Sequence, residues 1–298
     1  MNLRTSLLGL LFLIGFVPAR AQIQVSLEAR REWPFYIRHE SVVATVKITN
    51  LSGRDLLLSD AEAPWFSFQI TQGGAENLIS PRNPDYKLSP LEIKIGETLK
   101  RQVNLNELYP LSEYGPYKIR AAIFSKELGK FFTSPAVNIE MSEGRLIWQQ
   151  TVGVPETMPN AGGNHRMQLL TLQSAQHVYL YCRVEDPETG AVLCCYRLGH
   201  TIDNTKPQVQ LDTTNTLHVL HLIGPKTYLL SQIGVNGEFQ GRFNYVAPKT
   251  KPLLRRDATG RIEIAGASRV ETTPTAAAAA AAATGAKLSD RPPGLPIK

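Results

Sequence analysis

Apolar and polar residues alternate with a period of two along most of the chain. Ile23, Val25, Leu27 and Ala29 fall on one face of an extended segment. Val42, Ala44, Val46 and Ile48 do the same in the next, with Thr45, Lys47 and Thr49 on the opposite face. Phe66, Phe68 and Ile70 repeat the pattern, and residues 99–105, 117–124 and 136–139 follow it. This period, with its β-branched and aromatic content, predicts half-buried strands. Asn50-Leu51-Ser52-Gly53-Arg54-Asp55 and Gln72-Gly73-Gly74 supply turns between them. No long stretch has helical spacing. The expected class is all-β, with roughly eight short strands over residues 22–141 forming a two-sheet sandwich.

Ser142-Glu143-Gly144 marks the expected domain boundary. Beyond it, residues 177–184, 191–198, 208–212, 216–223, 227–235 and 237–246 read as consecutive strands joined by tight turns. An antiparallel meander is therefore expected over residues 145–270. Residues 176–181 and 216–221 look like copies of one another, about 40 residues apart, which is the length of one propeller blade. The region has room for about three such units, whereas ring closure takes four or more. It is read as either an ordinary meander or an incomplete propeller-like sheet.

Two stretches carry resemblances. Residues 42–56, with Asn50, Ser52 and Leu56, resemble the strand-and-turn opening of bacterial extracellular immunoglobulin-like domains. Tyr114-Gly115-Pro116-Tyr117-Lys118-Ile119 is similar to the tyrosine corner before a late strand of those domains, which implies a Tyr hydroxyl bonded to nearby backbone. This resemblance covers residues 23–141. Leu211-Asp212-Thr213-Thr214-Asn215-Thr216-Leu217-His218-Val219 resembles a blade segment of sialidase-like propellers, with Asp257-Ala258-Thr259-Gly260-Arg261-Ile262 as a partial echo. The Asp-box of those proteins is absent. A fold does not fix a function.

The ends set the expected compartment. Arg4, an apolar run over residues 7–17 and Ala19-Arg20-Ala21 read as a signal peptide (residues 1–21) cleaved before Gln22. The run is too short for a membrane span, which takes about 20 residues. A secreted or periplasmic location is expected, with no transmembrane segment after cleavage. Residues 271–298, with eight alanines followed by Pro292, Pro293 and Pro296, read as a disordered basic tail. The net charge of +6 divides into +2 in the signal segment, +5 from residue 249 onward and −1 for residues 22–248. That division removes the case for specific nucleic-acid binding.

An exported chain permits disulfides. Cys182 and the Cys194-Cys195 pair flank a hairpin loop at residues 185–190, so Cys182 is expected to bond one of the pair. The alternative is three buried thiols. Trp33, Phe35, Tyr36, Trp65 and Phe66 cluster beside Pro34 and Pro64, either as an exposed binding platform or as core. His218 and His221 lie on opposite faces of a strand and cannot share a metal ion. Cys195 with His200 lacks an orienting third group. The acids Glu185, Glu188, Asp203 and Asp212 read as solvated turn residues. No catalytic motif, cofactor or metal site is expected. The first expectation is thus a non-catalytic exported adaptor that binds another envelope protein. A degenerate sialidase-like lectin binding glycan and an unrecognised hydrolase are the alternatives.

Overall fold

A computed structural model describes residues 22–270, apart from 30–32, 61–63, 75–76, 85–88, 159–160 and 203–204. The expected signal segment, the expected tail and Asp203 lie outside the described residues. The described chain is all-β, with one single-turn helix. Its first part holds β1 (Ile23–Ala29), β2 (Phe35–Ile37), β3 (Val43–Asn50), β4 (Leu56–Leu58), β5 (Phe66–Gln72), β6 (Leu91–Ile93), β7 (Thr98–Asn104), α1 (Leu105–Leu108), β8 (Gly115–Ser125), β9 (Lys130–Thr133) and β10 (Val137–Ser142).

One sheet runs β1-β3-β7, a second runs β2-β10-β8-β5 with β9 added on β8, and β4-β6 form a short ribbon. The alternation read from the sequence explains the packing. Val25, Val46, Ile48 and Val103 from the first sheet meet Phe68, Ile70, Ile119, Ile123 and Ile139 from the second in one apolar core. Two tyrosines fasten it. The Tyr109 hydroxyl donates to the Phe68 carbonyl at 3.0 Å and accepts from the Phe68 amide at 3.1 Å. The Tyr117 hydroxyl makes the same pair of bonds with Glu113, four residues upstream. Residue 105, expected to end a strand, instead opens α1, because the Asn104 side chain accepts from the Asn106 amide and caps a helical turn.

The second part holds β11 (Arg145–Gly153), β12 (Asn164–Gln173), β13 (Val178–Glu185), β14 (Val192–Thr201), β15 (Gln208–Leu211), β16 (Leu217–Gly224), β17 (Thr227–Ile233), β18 (Phe239–Val246), β19 (Leu253–Arg256), β20 (Ile262–Ala265) and β21 (Ser268–Val270). These make two meander modules and a remnant. β11-β12-β13-β14 is the first module and β15-β16-β17-β18 the second, with β21 closing on β18; β19-β20 stands as a two-stranded hairpin. Side-chain parity stacks them as layers. Leu180, Cys182 and Val184 of the first module pack on Leu217, Val219 and Ile233 of the second. Leu220 and Leu230, on the second module's other face, pack on Leu254, Ile262 and Ile264 of the hairpin.

Three sequence readings need correction. Residues 176–181 and 216–221 are not equivalent: the first leads into β13, the third strand of its module, and the second into β16, the second strand of its own. Their likeness is shared alternation. β11 and β12 were not foreseen: Gln149, Gln150 and Thr151 interrupt the alternation on the exposed edge strand β11, and in β12 residues Met167, Gln168, Leu169 and Leu170 are buried in succession. The expected disulfide is absent: no cysteine is in a disulfide. The register pairs Cys182 with Tyr196, Cys194 with Val184 and Cys195 with Arg183. Cys182 and Cys194 share the face toward the second module, offset by two positions, while Cys195 faces away with Leu170 and Tyr181.

The two parts also share an apolar interface. Ile37, with Trp33 and Phe35, packs against Leu170, Leu172, Tyr179 and Tyr181 of the first module. β2 runs parallel to β10 and so carries these side chains across to the meander. The boundary at Ser142-Glu143-Gly144 is a tight junction. A Cβ on Gly144, whose φ is +76°, would sit 2.8 Å from the Ile37 Cδ1 and 3.3 Å from the Thr171 carbonyl oxygen.

Candidate functional site

The hairpin β19-β20 repeats β15-β16. The Asp212 Oδ1 accepts from the Thr214 amide at 2.9 Å, the Thr214 hydroxyl at 2.8 Å and the Thr216 amide at 3.0 Å. The Asp257 Oδ1 accepts from the Thr259 amide at 2.8 Å, the Thr259 hydroxyl at 2.7 Å and the Arg261 amide at 2.9 Å. Each turn has a left-handed residue at its fourth position, Asn215 (φ 59°) and Gly260 (φ 85°). Short side chains or none tolerate that region. The carboxylates act as templates that order a five-residue turn.

The turn also fixes which backbone groups of the hairpin face outward. The Asp257 amide donates to the Arg261 carbonyl, so residues 257 and 261 form a hydrogen-bonded pair. Alternation along an antiparallel ladder makes Arg255 and Glu263 the next such pair. The amides and carbonyls of Ile262 and Ile264, and of Arg256 and Leu254 across from them, therefore point away from the hairpin.

The two edges differ in how these groups are met. Along β19, the Gln208 Oε1 accepts from the Leu254 amide at 3.0 Å. The Gln208 Nε2 donates to the Pro252 carbonyl at 2.7 Å, and the Gln210 Nε2 donates to the Leu254 carbonyl at 2.9 Å. Two side chains of β15 thus act as a surrogate strand. The Arg256 guanidinium adds a bond to the Leu211 carbonyl. Along β20, no strand of the described residues pairs with the outer edge.

The covering layer is also narrower than what it covers. The sheet beneath is five strands wide, and β19 lies over its β15 side. Leu220 and Leu230 of the sheet and Leu254 of the hairpin are buried between the two layers, whereas Tyr228, Phe243, Tyr245, Ile262 and Ile264 remain half-buried. At the interface between the two complete modules, Leu180, Cys182, Val184, Leu217, Val219 and Ile233 are all 0% exposed. The candidate site is therefore the open edge of β20 with the adjoining face formed by Tyr228, Phe243 and Tyr245, where the Arg269 guanidinium of β21 lies 4.0 Å over the Phe243 ring. The sequence reading missed these aromatics. The signal that leads to them is the Asp257 echo, which the sequence does contain.

The residues singled out from sequence fall elsewhere. Tyr36 and Trp65 are buried. Phe66 is half-buried against the sandwich core, 5.7 Å from Trp65 and 5.0 Å from Phe68 between ring centroids. Trp33 packs on Tyr179 with ring centroids 4.1 Å apart, and the Arg197 guanidinium lies 3.9 Å over Tyr179. Packing at the interface of the two parts accounts for Trp33 and Phe35.

His200, His218, His221 and the three cysteines are engaged by packing and hydrogen bonds. His218 engages Asp212 through Nε2 at 3.1 Å and Gln232 through Nδ1 at 3.2 Å, so both ring nitrogens are used. Burial alone would raise the Asp212 carboxyl, but hydrogen bonds from His218 and Thr214 outweigh it and hold its pKa below the usual range. His221, on the opposite face, is 2% exposed. Its pKa is pushed down to about 4, first by burial and then by Arg242 and His200. His200 bonds the Ile223 carbonyl at 2.7 Å and stands opposite Tyr179, whereas Cys195 stands opposite Arg183, four positions further along β13. Burial raises the Cys182 thiol well above its ordinary range and pushes Cys194 up to about 12. Glu185 pairs with Arg166 and Arg183, and Asp186 orders its hairpin turn through Thr189 and Glu188. Among the described residues, no group of three or more His, Cys, Asp or Glu is placed to hold a metal ion, and no helix is long and apolar enough to cross a membrane.

No family model matches the chain, and no curated protein matches it.

Proposed function

We propose that this chain is an exported, non-catalytic binding or adaptor protein of the bacterial envelope whose partner is another protein. The half-exposed face of Tyr228, Phe243 and Tyr245, with Arg269 over the Phe243 ring, lies beside the edge of β20 and carries this reading. Half-exposed aromatics next to unpaired strand backbone offer both buried area and directional hydrogen bonds to a protein surface. The signal-like residues 1–21 support export. The tyrosine corner at Tyr117 supports an immunoglobulin-like sandwich in the first part, an architecture that serves as a rigid stalk. The shared interface around Ile37 would hold stalk and modules as one body, so binding at the far end needs no folding of its own.

The test is affinity capture from the envelope fraction of the source cells, with the full chain as bait and mass spectrometry as readout. A stoichiometric protein partner retained by the native chain and lost by Tyr245→Asp is the expected result. A folded native bait that captures no protein overturns the reading.

A further inference from the structure

The repeat relation identifies what the open layer lacks. Counted from Asp212 and Asp257, Ile262 stands where Leu217 stands, and Ile264 where Val219 stands. The side chains agree: Leu217 and Val219 point toward the preceding module, and Ile262 and Ile264 pack toward theirs. In the second module, Leu217 pairs with Ile233 and Val219 with Ser231, so β17 occupies the outer edge of β16. Among the described residues no strand takes the corresponding place on β20: the chain leaves Ala265 and returns as β21 to pair with β18.

We infer that β20 receives an extended strand of a partner protein, paired antiparallel with Ile262 and Ile264 and carrying apolar side chains at alternating positions over Tyr228, Phe243 and Tyr245. This rests on the binding reading above and specifies its mode. The strand would do for the third layer what β17 does for the second. Its outward side chains would continue the polar surface set by Arg255 and Glu263, which stand opposite one another.

A second copy of this chain fits the place poorly. Two β20 edges paired about a twofold axis keep both inner faces on one side. The five-stranded sheets of both copies would then need the same volume beneath the shared layer. A lone strand from another protein meets no such obstacle. Three other edges are less suited. β7 presents Lys100 and Arg101, the outer side of β5 is engaged by the Ile79 amide on the Ile70 carbonyl, and β11 is bulged between Leu146 and Trp148. Edge charges and bulges discourage strand addition.

The probe is a synthetic peptide with the β17 sequence, Thr-Tyr-Leu-Leu-Ser-Gln-Ile, added to the full chain and followed by amide hydrogen exchange. Exchange at the Ile262 and Ile264 amides is expected to slow by about tenfold or more, while a scrambled peptide of the same composition has no effect. Ile264→Pro, which removes one outward amide, is expected to abolish binding. Tyr245→Asp, which leaves the β20 backbone intact, is expected to weaken it by about tenfold, and circular dichroism checks that both variants fold. Unchanged exchange at Ile262 and Ile264 at saturating peptide overturns the proposal. If the envelope partner is captured equally by the native chain and a folded Ile264→Pro variant, strand addition is refuted while the binding reading stands.

Discussion

Asp212 and Asp257, 45 residues apart, receive the same three hydrogen bonds, from the threonine amide and hydroxyl two positions on and from the amide four positions on. Their surroundings differ. Both are half-buried, but Asp212 also bonds His218, whereas Asp257 lies at the tip of the outer hairpin.

Asp212→Ala should therefore destabilise the chain by about 1–2 kcal/mol, since it strips several partners at once in a partly buried setting. Asp257→Ala should lower the melting temperature less. Both carboxyls have a pKa held below the usual range, Asp257 chiefly by the Thr259 hydroxyl. Their contribution is thus fully present near neutral pH and is lost as pH falls through the lowered values. Thermal melts of the two variants from pH 7 to pH 3 check both statements. Equal losses would remove the distinction between the turns.

His221 gives a second pH signature at higher pH. Its pKa in the fold, about 4, lies below the unfolded value of 6.5, so the unfolded chain binds the extra proton between those limits. Stability should fall by about 3 kcal/mol as pH drops from 6.5 to 4. Urea unfolding of the native chain against His221→Leu reads the difference. The variant should lose that part of the slope, and parallel curves would exclude His221 as its source.

Gly144→Ala tests the junction between the two parts. The added Cβ meets the Ile37 side chain and the Thr171 carbonyl, and the residue keeps a positive φ. A destabilisation of about 1–3 kcal/mol is expected, from strain and overpacking together. A neutral result in calorimetry would show that the junction relaxes freely and that the interface around Ile37 is not held at this point.

The thiols should be inert in the native state. Cys194, with its pKa pushed to about 12, carries almost no thiolate at pH 8, and Cys182 is fully buried. Iodoacetamide at pH 8 should label neither until the chain is denatured, after which all three cysteines react. A disulfide-linked peptide containing Cys182 in non-reducing maps would contradict the register found for β13 and β14.

Much of the architecture was legible in the sequence because it rests on local rules. Alternation placed β1, β3, β5, β8 and most of β13–β18, since a half-buried strand must show one face to the core at every second residue. The same rule separated His218 from His221. The Asp257 echo was visible because a five-residue turn of this kind needs a particular acid, threonine and left-handed residue at fixed offsets.

What the sequence left open depends on residues distant along the chain. Cys182 and the Cys194-Cys195 pair could be bracketed around a loop, but bulges between Leu180 and Tyr181 and between Val184 and Glu185 set the register that keeps Cys182 opposite Tyr196. Trp33 and Phe35 could be read as platform or core until β2 was placed beside β10 and against Tyr179. The open edge of β20 was invisible for the same reason. Its character follows from Gln208 and Gln210, 44 residues from the backbone of β19 that they cap, and from β21 pairing with β18 rather than β20. Alternation and turn chemistry act between near neighbours and can be read along the chain. Register, stacking order and the choice of which edge stays unpaired are decided only when distant segments compete for the same partners in three dimensions.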